Sequence, residues 1–267
     1  MSSVTRNSPE LPDTSDDRSL TELADIQVFG SDIEVVDGPD ALGPWDGVEA
    51  IVVDIDDTLF LKRDYVRSGF DAVGRWVQRE LGIVDFGQRA WAAFESGARE
   101  TIFDEVLTGL GARSDDAVIT ALIARYRTHA PTIALAADAQ TALDRWHGQV
   151  KLAAVTDGPV SSQLAKARAL GLDRWTSLIV CTASLGPGKD KPHPAGFQQV
   201  QEELGVDGKG CVYVADNPKR DFAGPKSLGW RTVRVRRRLG LHSALESGSD
   251  VDHEITSLDQ LEAVLAG

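Results

Sequence analysis

The chain has 267 residues, 42% of them apolar, and a formal net charge of -13 at pH 7. That length allows one large domain, or one domain with an insertion, and the apolar share can fill a sizeable core. The negative balance argues against non-specific nucleic-acid binding, and no apolar run reaches membrane-spanning length.

Residues 1–46 carry eleven acidic side chains against Arg6 and Arg18. The first 20, rich in Ser, Asp and Pro, are expected to be disordered. Residues 21–46 mix short apolar patches with GPDALGP and read as an acidic extension, either docked on the domain or continuing the arm. No apolar leader core stands in this stretch, so a cytoplasmic protein is the expectation. Cys181 and Cys211, each inside an apolar run, read as reduced core residues, since two cysteines make neither a disulfide framework nor a zinc site.

The pattern sharpens from residue 47. EAIVVDID is a short, β-rich, continuous apolar run, as expected of a strand covered on both faces. Val66, Phe70, Val73, Val77 and Leu81 then recur at helical spacing. Further helical patterns cover about 88–97, 101–110 and 115–128, the last with Ser114 as the expected N-cap. Residues 62–130 are therefore expected to form an all-helical block.

Strand and helix patterns then alternate. A helix over 138–146 precedes the strand VKLAAVTD, and the helix SSQLAKARALG precedes the strand SLIVCTA. The helix AGFQQVQEELG and the strand CVYVAD follow, then a helix around Lys226 and Leu228, the strand RTVRVRR and a closing helix in SLDQLEAVL. Such alternation predicts an α/β fold, a doubly wound parallel sheet with helices on both faces, interrupted after its first strand by the helical block. The divisions are 47–61 and 131–267 for the core and 62–130 for the insertion. The arginines of 231–238 are expected to blunt an exposed sheet edge, and His193 to be an exposed loop residue.

In open parallel sheets ligands bind beyond the carboxyl ends of the strands. The first strand ends in Asp54, Asp56, Asp57 and Thr58, the second in Thr156, Asp157 and Gly158, and the fourth in Asp216 and Asn217 with Asp221 close behind. Asp54 and Asp56, two apart, share a side of a continuing strand. Bare carboxylates packed together repel. With Asp216 they suit a hard cation, magnesium rather than zinc. Lys191 and the Thr156 hydroxyl would then complete a cage for a phosphoryl group, with Lys189 as a competitor for the Lys191 role.

Four motifs in order resemble the haloacid dehalogenase (HAD) superfamily, on its phosphatase side. They are Asp54-Ile55-Asp56-Asp57-Thr58, the strand ending in Thr156, Lys191-Pro192, and VYVADNPKRD with Asp216 and Asp221. The resemblance covers roughly residues 50–240 and departs where Ala215 stands in place of a common glycine. It implies a Rossmann-like core with a helical cap and a magnesium-dependent phosphatase acting on a small-molecule phosphate ester. In that reading Asp54 is the nucleophile and Asp56 the general acid and base. Mg2+ is held by the Asp54 carboxylate, the Asp56 backbone carbonyl and the Asp216 carboxylate. Thr156, Asp157 and Lys191 bind phosphate, and Thr58, Asn217 and Asp221 support the site. Arg63, Tyr65 and Ser68, near the cap entry, are candidate substrate contacts. RDYVRSGF and the segment from Asp216 to His242 are similar to family members of sugar and polysaccharide pathways, which implies a sugar phosphate or nucleotide. A phosphomutase on the same scaffold and a non-catalytic binding module are the alternatives.

Overall fold

A computed structural model describes residues 47–266; the expectations for residues 1–46 lie outside the described residues. Six parallel strands form one sheet: β1 (Ala50–Val53), β2 (Lys151–Thr156), β3 (Ile179–Cys181), β4 (Cys211–Ala215), β5 (Arg231–Val235) and β6 (His253–Ile255), in the order β3-β2-β1-β4-β5-β6. The chain moves outward from β1 through β2 to β3, then returns to lay β4 against the other side of β1. The order therefore reverses between β1 and β4, where a crevice opens beyond the carboxyl ends of the strands.

β1 is buried along its whole length because both faces are covered. Ile51 and Val53 face a core with Ala142, Leu143 and Trp146, whereas Ala50 and Val52 face a second core with Phe197, Val200 and Trp230. Period-two alternation thus splits an unbroken apolar run between two layers. The first layer is built from α5 (Ala137–Trp146), α6 (Val160–Leu170) and α9 (Leu261–Leu265), and the second from α7 (Ala195–Leu204) with α8 (Ala223–Ser227) beside it. Both cysteines are free and buried, as expected.

Between β1 and β2 stand α1 (Lys62–Leu81), α2 (Phe86–Glu95), α3 (Ile102–Gly109) and α4 (Asp116–Thr128). They have a core of their own, in which Phe70, Val73 and Val77 of α1 meet Phe86, Phe94, Leu107 and Leu122. Gly74 and Gly87 let α1 and α2 touch backbone to backbone, since a Cβ on Gly87 would stand 2.7 Å from the Phe70 carbonyl oxygen. The cap of α4 is Asp115 rather than Ser114: its carboxylate accepts the Val118 N–H, while Ser114 bonds Asp104.

The expected sheet edge is overturned. β5 pairs with β6 and is interior; β6 was not expected because His253 and Glu254 are exposed and only Ile255 is buried. Arg234 consequently has no exposed surface. Its guanidinium donates to the carbonyls of Asp216, His242 and Leu245 and pairs with Glu254. His193 also differs from expectation: it is half-buried, and its Nδ1 accepts the Ala195 N–H at the start of α7.

Replacing Arg234 by Leu strands three carbonyl acceptors, each costing about 1–3 kcal/mol when left unpaired. Urea denaturation of Arg234→Leu should therefore show a loss of at least about 3 kcal/mol. An unchanged midpoint would mean the guanidinium is dispensable.

Candidate active site

A cleft of about 100 Å³ lies at the reversal point, lined by Asp54, Asp56, Asp57, Lys62, Thr156, Asp157, Lys191, Asp216, Asn217, Arg220, Asp221 and His242. The strand ends of β1, β2 and β4 and the loop before α7 thus bring the sequence-derived aspartates, Thr156 and Lys191 together. Arg63, Tyr65 and Ser68 do not line this cleft. Arg63 pairs with Glu95 and lies over Trp91, Tyr65 packs between Tyr126 and His129, and Ser68 accepts the Thr132 N–H. Ser68 also lines a second cavity, of about 480 Å³, between α1 and residues 132–136.

Lys191 is the centre of the cleft. Its buried Nζ lies 2.8 Å from Asp54 Oδ1, 2.8 Å from Asp221 Oδ1 and 3.1 Å from the Tyr213 hydroxyl, which in turn donates to the Val155 carbonyl. All three ammonium hydrogens thereby find acceptors. The Asp157 carboxylate accepts the Lys191 N–H and the Thr182 hydroxyl, and Arg220 donates to the Lys191 carbonyl. Asp157 therefore fastens the Lys191 loop with its side chain. Lys189 instead meets His193 at 3.4 Å.

Asp56 has a separate counter-ion. Lys166 Nζ lies 2.8 and 2.7 Å from its two oxygens, and Lys62 Nζ 3.7 Å from Oδ2. Burial pushes Asp56 up, but Lys166 and Lys62 together hold it below the usual carboxylate range. Gln163, one turn before Lys166 on α6, accepts the Thr156 hydroxyl and donates to the Asp157 carbonyl, with Asp56 Oδ2 at 3.5 Å. Lys166 in turn sits 4.4 Å over the Tyr65 ring, so α1 backs this pair.

Asp57 adopts a left-handed backbone, φ 57°, a region aspartate tolerates better than most residues. Its two oxygens accept the N–H groups of Lys62 and Leu241. Asp216 Oδ2 meets His242 Nδ1 at 2.8 Å, and the Asn217 N–H donates to Asp221. Thr58 is buried, and its carbonyl accepts from Arg237 while its hydroxyl has no partner among the described residues.

Six carboxylates line this cleft against Lys62, Lys191 and Arg220, so negative charge is in surplus. Burial, uncompensated by Lys191 alone, pushes Asp54 up to about 8, with Asp221, Asp216 and Asp56 adding repulsion. Burial also raises Asp57 to about 6 and lifts Asp216. Oxygen donors with surplus negative charge, away from bulk water, fit a hard divalent cation. Ligand atoms of Asp57, Asp216 and His242 lie within 4.8 Å of one another.

Sequence reasoning missed Lys62, Gln163, Lys166, Tyr213, Arg220 and His242. A signal existed for two of them: Gln163 and Lys166 fall on the buried face of α6 with Ala167 and Leu170, just after the Thr156 loop. Tyr213 looks like core filling, and His242 lies far down the chain.

The model of the haloacid dehalogenase-like hydrolases matches residues 48–229. The glyceraldehyde 3-phosphate phosphatase of Methanocaldococcus jannaschii is 26% identical over 225 residues, covering 80% of this chain and 95% of that protein. The phosphoserine phosphatase of Thermus thermophilus is 32% identical over 154 residues, 57% of this chain and 60% of that one. The 2-haloacid dehalogenase of Pseudomonas syringae pv. Tomato shares the fold, with a TM-score of 0.58 and 24% identity over 82% of this chain and 98% of that chain.

Breaking a buried ion pair from one side costs about 3–5 kcal/mol. Lys166→Met should lose that much in urea denaturation, and adding Asp56→Asn should restore most of it. Additive losses would show that the two side chains do not act as a pair.

Proposed function

The chain belongs to the haloacid dehalogenase-like hydrolase family, and from that premise we propose that it is a magnesium-dependent phosphoric monoester hydrolase. The observation that carries this reading is the Asp54–Lys191–Asp221 cluster, buried beside Asp216 and separate from the Asp56–Lys166 pair. In this reading Asp54 is the carboxylate that meets phosphorus and Asp56 the one that transfers the proton. A phosphorylated metabolite as substrate is supported by the phosphatase names of the relatives. The fold itself is shared with a dehalogenase and does not choose. Within that class, a sugar phosphate or nucleotide is the narrower proposal, entered beneath the helical block, which serves as the cap.

The roles follow from position. An Asp54 oxygen attacks phosphorus and forms an aspartyl-phosphate, while the bond to the leaving oxygen breaks and Asp56 gives that oxygen a proton. Water then attacks the aspartyl-phosphate, Asp56 takes the water's proton, and inorganic phosphate leaves. In the free protein Asp56 is held ionised by Lys166 and Lys62, the form the second half-reaction needs. A dianionic phosphoryl group arriving beside it favours proton uptake, which readies it for the first. Lys191 would turn an ammonium hydrogen from Asp54, and Thr156 its hydroxyl hydrogen from Gln163, to hold the phosphoryl oxygens. Asp54, the Asp56 carbonyl and Asp216 would hold Mg2+, with Asp221 and Asn217 behind them. The ion would supply positive charge that keeps Asp54 ionised and offsets charge on the phosphoryl oxygens.

With purified protein, Mg2+ and a panel of phosphorylated metabolites, inorganic phosphate release should be lost in Asp54→Asn. Asp56→Asn should lower kcat by about 10²–10⁴, more for alkyl phosphates than for p-nitrophenyl phosphate, whose leaving oxygen needs no proton. Parental activity in Asp54→Asn would refute the nucleophile.

Burial and the neighbouring carboxylates push Asp54 up to about 8, so a cation held by its carboxylate would bind with loss of a proton. Calorimetric titration should therefore show Mg2+ affinity rising from pH 6.5 to 8, with proton release. A flat profile would mean that Asp54 is already ionised.

A further inference from the structure

The roles above leave His242 without a task, yet its loop is firmly built into the cleft. The segment between β5 and β6 is fastened on three sides. Arg234 donates to the His242 and Leu245 carbonyls, Asp57 Oδ2 accepts the Leu241 N–H at 3.0 Å, and Arg237 Nε donates to the Thr58 carbonyl at 2.7 Å. These contacts tie the loop both to β5 and to the turn after β1, and they set the imidazole against Asp216.

The hydrogen bonds settle which ring nitrogen carries the proton. Asn217 Oδ1 accepts the Lys219 N–H at 3.1 Å, which orients the amide with its NH2 toward His242. That NH2 lies 3.3 Å from His242 Nε2 and can only donate, so Nε2 accepts. Nδ1 therefore carries the hydrogen and donates it to Asp216 Oδ2 at 2.8 Å. A neutral ring satisfies both contacts, and the other oxygen of Asp216 is left for a cation. Asp57, the third group within ligand distance, is already committed to two backbone N–H groups.

We propose that His242 is a positioning residue of the metal site: as the Nδ1–H tautomer, locked by Asn217, it fixes the Asp216 carboxylate for a divalent cation without coordinating it. This rests on the magnesium reading above. Partners that orient a metal-binding side chain are worth about 10–100-fold in metal affinity.

The test is Mg2+ titration calorimetry on the wild type, His242→Ala and His242→Asn, with nitrogen NMR of the His242 ring and pulsed EPR of the Mn2+-loaded wild type. The Ala variant should bind Mg2+ about 10–100-fold more weakly. The Asn variant, whose amide can replace the Nδ1 donor, should recover part of that loss. The ring should be protonated at Nδ1, and Mn2+ should show no directly bound nitrogen. Equal Mg2+ binding by the Ala variant and the wild type would overturn the role of His242 and leave the metal reading intact. A wild type that binds no Mg2+ would sink both. If the variants do not fold, a ring protonated at Nε2, or a nitrogen bound to Mn2+, overturns the proposal on the wild type alone.

Discussion

A single ammonium, Lys191 Nζ, is shared by Asp54, Asp221 and the Tyr213 hydroxyl at the junction of β1 and β4. Taking such groups out of water costs several kcal/mol per ion, so the arrangement persists only with every hydrogen bonded. The surroundings serve that requirement. Asp157 grips the Lys191 N–H, Arg220 the carbonyl, and Tyr213 passes its own hydrogen to the Val155 carbonyl. Even so, one ammonium does not balance the acids around it, and burial with their repulsion pushes Asp54 well above the usual carboxylate range. A cleft with this surplus is ready to take up positive charge.

Topology explains why the groups meet. Strand order reverses between β1 and β4, so the ends of β1, β2 and β4 open on one crevice. The helical block enters from the same place: Lys62, the first residue of α1, lines the cleft, and Tyr65 backs the Lys166–Asp56 pair. A shift of α1 would act directly on Asp56. Asp54 and Asp56 thus answer to different neighbours, Asp54 to the sheet and Asp56 to α6 and α1. Environments that separate two carboxylates in this way are what acid–base chemistry near neutral pH requires.

The central strands and most helices were legible because their signals are local. Ile51, Val52 and Val53 form an unbroken apolar run, and Val66, Phe70, Val73 and Val77 mark one face of α1. Asp54, Asp56, Thr156, Lys191 and Asp216 were legible because each follows a recognisable strand or motif. β6 was not, since two of its three residues face solvent, and missing it turned the interior β5 into an edge. Arg234 then read as surface charge although it is a buried organiser of the His242 loop. Lys166, Tyr213 and His242 are defined by what they reach across space: Asp56 is 110 residues from Lys166 in the chain. Spacing carries no record of such a contact.

The proposed chemistry stands or falls on covalent phosphorylation of Asp54 within this charge-surplus cleft. Its most direct test is to mix the protein with Mg2+ and a turned-over phosphate ester, quench in acid within the first turnover, and map the peptides by mass spectrometry. One added phosphoryl group on the peptide that carries Asp54 is the expected result. Phosphate release with no phosphorylated protein at any time, or a phosphoryl group on another residue, would contradict it.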